Sequence, residues 1–306
     1  MRGRTETAPH GGGFGAKARP ARLAWATAIV TGLLAPAVAF AQMSGSFERT
    51  LLVSGPVDLD VSTAAGRITI RTGRDGTVEV RGQIRGRTDR RVDRERVEQL
   101  VRELEEHPPI VQTGNTIAIG DLRDGDRRER VSISYEIIVP VQTRAESRTG
   151  SGGQTVDGIA GPLEVHTGSG GLEVSNIGGD VRAQSGSGSV IVESVRGDVD
   201  VRAGSGGIRA IAIEGDLNAR TGSGGIAAEG TPRSEWSLRA GSGPLEVDVP
   251  DDAGFDLRAE TNSGSIDSAH PIQIQGRLSR RRLEGRVRGG GIRLELKTGS
   301  GSIRIR

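Results

Sequence analysis

Three aspartates, Asp180, Asp198 and Asp216, stand 18 residues apart, each directly after a glycine. Three arginines, Arg202, Arg220 and Arg239, keep nearly the same interval. Residues that recur at one interval stack in space if the chain winds back over itself once per interval, so both sets predict ladders. An aspartate ladder presents oxygen ligands that a hard cation such as calcium could bridge. It equally presents acceptors that cap bends, the ordinary role of an aspartate there. The calcium repeat G-G-x-G-x-D is absent, so the sequence favours capping, with Arg182 as a neutralising neighbour. An arginine stripe presents guanidinium forks suited to phosphate or carboxylate groups. A second cationic cluster follows in "GRLSRRRLEGRVRGG": Arg277, Arg280, Arg281, Arg282, Arg286 and Arg288. A solvated charged face would use the same residues.

Catalytic patterns do not emerge. The motifs G-x-S-x-G, G-x-G-x-x-G and G-x-x-x-x-G-K-[ST] do not occur, and the only lysines are Lys17 and Lys297. With no cysteine there is no thiolate chemistry, disulfide or cysteine metal site. Beyond the leader, His107, His166 and His270 are too scattered to suggest a zinc site. The sequence therefore predicts no catalytic residue and no cofactor. The tripeptide Arg196-Gly197-Asp198 matches an integrin-recognition motif, but Gly-Asp also stands at Gly179-Asp180 and Gly215-Asp216, so the repeat accounts for it.

The same interval governs the elements that must carry these side chains. Corners recur as Thr149-Gly-Ser-Gly-Gly153, Thr167-Gly-Ser-Gly-Gly171, Ser185-Gly-Ser-Gly-Ser189, Ala203-Gly-Ser-Gly-Gly207 and Thr221-Gly-Ser-Gly-Gly225, every 18 residues. Looser copies lie at Ala240, Thr261 and Thr298, and an early relative at Thr63-Ala-Ala-Gly-Arg67. Flexible Gly/Ser linkers hold no such period. With Gly179 as position 1, position 3 is Leu163, Val181, Val199 and Leu217, and position 5 is Val165, Ala183, Val201 and Ala219. Positions 12, 14 and 17 are aliphatic in the same way, as in Leu172, Val174 and Ile177. This is period-2 alternation on both sides of a corner, the mark of half-buried strands. The fold class predicted is all-β: a single-chain parallel β-solenoid with 18-residue coils. Gly150, Gly152, Gly168, Gly170, Gly186, Gly188, Gly204, Gly206, Gly222 and Gly224 are the structural corners, expected to supply positive φ and to leave room for a neighbouring backbone. The corner serines are expected to stack and bond their neighbours.

Residues 1–41 read as an export signal: a basic start, an uncharged run from Leu23 to Ala41, and a small-x-small cleavage site between Ala41 and Gln42. Removing them takes five of the 41 Lys and Arg and one of the 39 Asp and Glu, leaving 36 and 38. The remaining charge is near −2, so the pI of 9.6 does not argue for nucleic acid. Aromatics for base stacking are also scarce. Residues 42–142 read as irregular strands with one helix over 91–106, where Val97, Leu100, Val101 and Leu104 share a face and Pro108 and Pro109 end it. Residues 143–306 read as the regular solenoid, interrupted at 274–290, with Arg304 and Arg306 placing charge on a final edge strand.

The opening "VSGPVDLDVSTAAGRITI", the segment "SYEIIVPVQTRAESRTGSGG", the Gly-Asp-Val/Leu…Ser-Gly units and the ending "GRVRGGGIRLELKTGSGSIRI" resemble the bacterial putative-adhesin β-solenoid family. The likeness spans residues 47–306. It implies a cell-envelope setting, in some members beside envelope-stress signalling, and supplies no catalytic residues. The expected function is a non-enzymatic, exported structural or adhesive module, placed in the periplasm, at the cell surface or outside the cell. An anion-binding surface (Arg202, Arg220, Arg239, Arg280, Arg281, Arg282) or a calcium-binding one (Asp180, Asp198, Asp216) is the second class. A polysaccharide-active enzyme is the third. Expected partners are an envelope polymer, a lipid headgroup or a protein, with no nucleic acid. A membrane would be met only through an uncleaved N-terminal segment.

Overall fold

The computed structural model describes residues 43–87, 94–120, 130–274 and 279–306. The expected export signal with Ala41 and Gln42, residues 91–93 of the expected helix and Arg277 lie outside the described residues. Strands β1 (Ser44–Leu52), β2 (Val57–Thr63), β3 (Ile68–Thr72) and β4 (Thr77–Gly86) precede helix α1 (Arg94–Glu106). Then come β5 (Ile110–Thr113), β6 (Thr116–Ile119) and β7 (Val131–Val139). The repeat contributes β8 (Thr143–Thr149), β9 (Gln154–Asp157), β10 (Leu163–Thr167), β11 (Leu172–Ile177), β12 (Val181–Ser185) and β13 (Val190–Val195). It continues with β14 (Val199–Ala203), β15 (Ile208–Ile213), β16 (Leu217–Thr221), β17 (Ile226–Glu229), β18 (Trp236–Ser242) and β19 (Leu245–Asp248). The chain ends with β20 (Phe255–Ser263), β21 (Ile266–Ser268), β22 (Ile272–Ile274), β23 (Arg282–Val287), β24 (Ile292–Ser300) and β25 (Ile303–Ile305).

These strands form two sheets. Sheet A runs β1-β4-β7-β3-β9-β11-β13-β15-β17-β19-β25-β21, and sheet B runs β22-β23-β20-β24-β18-β16-β14-β12-β10-β8-β2-β6-β5. Each coil gives one strand to each sheet, and neighbouring coils pair in parallel with an 18-residue offset, as in Val181↔Val199 and Val190↔Ile208. The β-solenoid expected from the glycine period is therefore the fold. Positions 3, 5, 12, 14 and 17 point inward: Leu163, Val165, Leu172, Val174 and Ile177 are all buried. A single coil has only this handful of apolar side chains and half its backbone partners, so each coil depends on its neighbours.

Helix α1 buries Val97, Leu100, Val101 and Leu104 against β1 and β4. Its sequence lacks a basic residue in the last turn. The cation comes from β1 instead, where the Arg49 guanidinium donates to the Glu105 and Glu106 carbonyls at 3.3 and 3.1 Å. The early Thr63 corner is part of the same stack. Thr63 pairs with Thr149, and Thr149 Oγ1 donates to the Gly66 carbonyl at 3.2 Å.

Three expectations need correction, the third being the corner serines. None of the ten corner glycines from Gly150 to Gly224 has a left-handed φ. Their requirement is wholly steric, because coils stack backbone on backbone at the corner. A Cβ on Gly170 would stand 2.8 Å from Gly153 N and closer still to the Gly152 carbonyl. Left-handed residues lie instead at the end of the second strand, where Gly158 (φ 90°), Asn176 (56°), Ser194 (57°), Ala212 (53°) and Gly230 (139°) form one column; the middle three are the penultimate residues of β11, β13 and β15, and Gly158 and Gly230 directly follow β9 and β17. The second correction concerns the end of the chain. The last two strands are interior: β24 lies between β18 and β20, and β25 between β19 and β21. Chain order and coil order diverge because β20 and β21 are carried one rung further out. The antiparallel pair β22–β23 then covers β20 in sheet B, which leaves the short β21 as the edge of sheet A.

The corner serines Ser151, Ser169, Ser187, Ser205 and Ser223 are exposed. The hydroxyls that tie the corners together sit two residues earlier, on the inward face. Thr167 Oγ1 donates to the Gly152 carbonyl of the preceding coil at 3.0 Å and accepts from Gly170 N at 3.0 Å. Ser185 and Thr221 repeat this geometry with Gly170 and Gly188, and with Gly206 and Gly224.

Candidate functional site

The outward residues of sheet B fall into three rows that cross the strands. Strand register sets them, since residues two apart on one strand face the same way and parallel neighbours line up. The first row, at position 2, contains Asp180, Asp198, Asp216 and then Glu235. Asp180 Oδ1 accepts Asp198 N at 3.0 Å, Asp198 Oδ1 accepts Asp216 N at 2.9 Å, and Asp216 Oδ1 accepts Glu235 N at 2.9 Å. Ser234 Oγ also donates to Asp216. Each of the three aspartates thus caps the bend of the next coil and meets a backbone N–H. Among the described residues no group of three or more His, Asp or Glu side chains is placed to hold a metal ion.

The middle row, at position 4, mixes signs: Glu146, Glu164, Arg182, Asp200, Asn218, Ser237 and Glu295. Glu164 Oε1 lies 2.8 Å from His166 Nε2, and that hydrogen bond holds the carboxyl below the usual glutamate range. An open trough of about 480 Å³ runs along these first two rows, past Arg144, Glu164, Arg182 and Asp200.

The third row, at position 6, is cationic. Arg202 pairs with Arg220, Arg220 with Arg239, and Arg239 with Lys297 across four adjacent strands. Glu260 and Arg282 continue the row at the end of the stack. Lys297 was not predicted for this row, because only the interior position of β24 brings it there. Arg202 Nε lies 3.0 Å from Asp200, Arg239 3.0 Å from Glu295, and Lys297 3.8 Å from Glu260. Arg220 makes no ion pair with the described residues. Of the late arginines, Arg282 pairs with Glu284 at 3.1 Å and Arg286 with Asp256 at 3.4 Å, while Arg280 and Arg281 are exposed on the β22–β23 side. Among the described residues the stripe and the late cluster therefore meet through Arg282.

The histidines do not converge. His107 is exposed after α1, His166 sits on β10, and His270 is buried with its ring 5.7 Å from that of Phe255. A second hollow of about 480 Å³ opens beside the first corners, lined by Val131, Ile133, Tyr135, Thr149 and His166. The Tyr135 hydroxyl there is buried without a hydrogen-bond partner among the described residues, and burial pushes its pKa up. No helix among the described residues is long and apolar enough to cross a membrane.

The family model described as Toastrack DUF4097 matches residues 57–306. The chain belongs to this Toastrack family. Three solved structures are similar to the Toastrack chain. A "putative cell adhesion protein" from Clostridium sporogenes ATCC 15579 is 13% identical, covering 85% of this chain and 99% of its own, with a TM-score of 0.28. A "putative lipid binding protein" from Parabacteroides distasonis ATCC 8503 is 16% identical over 86% and 97%, with a TM-score of 0.43. A "putative adhesin" from Bacteroides fragilis NCTC 9343 is 14% identical over 86% and 97%, with a TM-score of 0.27. No curated protein matches this Toastrack chain.

Proposed function

We propose that this chain is a non-enzymatic, exported β-solenoid that acts at the bacterial envelope by presenting its charged coil faces to another molecule. The observation that carries the reading is the disposition of the polar side chains. They line up as open rows along the outer face of sheet B, while catalytic chemistry generally needs groups convergent in a walled cleft. The leader-like residues 1–41 and the Toastrack family support the setting. The anion-binding alternative is favoured over the calcium one by a specific contrast. Asp180, Asp198 and Asp216 each accept a backbone N–H, whereas Arg220 has no acidic partner among the described residues. Fractionating cells that express the full chain, with N-terminal sequencing of the product, tests the reading. It predicts an envelope or secreted product beginning at Gln42; a cytoplasmic product with residues 1–41 intact would overturn it.

A further inference from the structure

The row Arg202, Arg220, Arg239 and Lys297 is linear, parallel to the stacking axis, and contains one cation per coil. Coils recur every ~4.8 Å, so four charges span ~14 Å along one line. Next to this row, three residues further along the chain, stand the exposed Ser205, Ser223, Ser242 and Ser300. Ser242 pairs with Ser300 in the same register as the cations. The serine column follows corner glycines without side chains, so it forms a ledge open to solvent. On the other flank, Asn218 and Ser237 interpose neutral hydrogen-bonding groups between Asp200 and Glu295.

We infer that this row and its serine ledge form a binding strip for a linear anionic polysaccharide, laid along the stacking axis with an acidic sugar at each coil. The coil repeat is comparable to the advance of one pyranose unit in an extended chain, so sugar units and coils keep step, and the carboxylates turned toward the strip meet guanidinium groups. Serine hydroxyls, which donate and accept, suit sugar hydroxyls at the same interval. A flat anionic bilayer fits less well, because the Asp198, Asp216 and Glu235 row lies on the same face about 13 Å away and would repel it. Nucleic acid lacks its usual stacking partners, since Phe47, Tyr135, Trp236 and Phe255 are all buried. Three of the four cations already touch a carboxylate, yet these side chains are about half exposed and retain donors for a ligand.

The inference rests on the envelope reading only for where such a polymer is met. Its test is calorimetric titration of the full chain with polygalacturonate, and with the same polymer fully methyl-esterified. The variants are Arg202→Gln/Arg220→Gln/Arg239→Gln and, as a control on sheet A, Arg209→Gln/Arg304→Gln. All five positions are exposed, so folding is retained and is verified by an unchanged melting temperature. The expected result is binding of the acid polymer that weakens with salt, no binding of the ester, a loss of tenfold or more in the triple variant, and no change in the control. Absence of wild-type binding, equal binding of the ester, or undiminished binding by the triple variant would each overturn the strip. Envelope fractionation reads out separately, so a failed strip with an envelope-located protein leaves the proposed function standing.

Discussion

Replacing Gly170 by alanine adds one methyl group where two coils touch backbone to backbone. The new Cβ would stand 2.8 Å from Gly153 N and nearer still to the Gly152 carbonyl, whereas carbon contacts relax only near 3.5 Å. Relief requires the coils to part by well over 1 Å at this corner. That movement stretches the 3.0 Å bond from Thr167 Oγ1 to the Gly152 carbonyl and the 3.0 Å bond from Gly170 N to Thr167. Overpacking of this kind costs about 1–3 kcal/mol and each weakened bond about 1 kcal/mol, less about 0.5 kcal/mol for the stiffer unfolded chain. The net is a loss of about 3 kcal/mol, or about 6–12 °C in melting temperature for a chain of this size. Gly171→Ala is the matched control. Its Cβ would stand 3.6 Å from the Ser189 carbonyl, and Ser189 itself occupies that position one coil later. It should move the melting temperature by no more than about 2 °C. Thermal unfolding followed by circular dichroism reads both. If Gly170→Ala proves as stable as Gly171→Ala, the steric account of the corners is refuted.

Three further outcomes follow from single contacts. Thr221→Val removes a buried hydroxyl that donates to the Gly206 carbonyl at 2.8 Å and accepts Gly224 N at 3.1 Å, and should cost about 2 kcal/mol; Ala203→Thr, which adds that hydroxyl to a coil without one, should gain about 1 kcal/mol, both read by urea unfolding. Ala212→Gly relieves a left-handed φ of 53° in a column whose ends are already glycine, and should raise stability by up to about 1 kcal/mol in the same assay. Asp157 accepts from Ser175 Oγ at 2.7 Å and Asn176 Nδ2 at 2.8 Å, which lowers its pKa. Its stabilising effect is therefore present above the unfolded aspartate value of about 3.9 and lost as pH falls through the lower folded value. Asp157→Asn should flatten the acid limb of the stability profile between pH 5 and pH 2, and an unchanged limb would contradict this assignment.

Much of the fold is legible because it is local and repeated. The aliphatic residues at positions 3, 5, 12, 14 and 17 recur at one interval, and interior burial at Val181, Ala183, Val190, Val192 and Val195 follows. Position 7 was also legible in principle: Thr149, Thr167, Ser185 and Thr221 sit at an inward parity where a hydroxyl needs a partner, and that polar residue in an apolar slot was the signal of the stitch. The corner serines carry the more conspicuous pattern, but they face solvent. The left-handed column leaves almost no sequence trace, since Asn176, Ser194 and Ala212 share a backbone angle and little chemistry. The placement of β24 between β18 and β20 leaves none, because strand order in a sheet is decided by long-range packing. For the candidate strip, Arg202, Arg220 and Arg239 follow from the period, while Lys297 is 58 residues beyond Arg239 and joins only through that insertion.

The chain contains no cysteine, so paired cysteines can be introduced cleanly to read the coil register. Arg202 and Arg220 are directly paired on adjacent strands, and Ala219 is the inward neighbour one residue short of that register. Adjacent strands place paired Cα atoms about 5 Å apart, inside the disulfide range of about 4.4–6.8 Å. The measurement is the rate of disulfide formation under mild oxidation. Arg202→Cys/Arg220→Cys should crosslink readily and Arg202→Cys/Ala219→Cys should stay reduced. Equal crosslinking of the two pairs would mean that the glycine corners join a mobile chain and that no 18-residue coil exists.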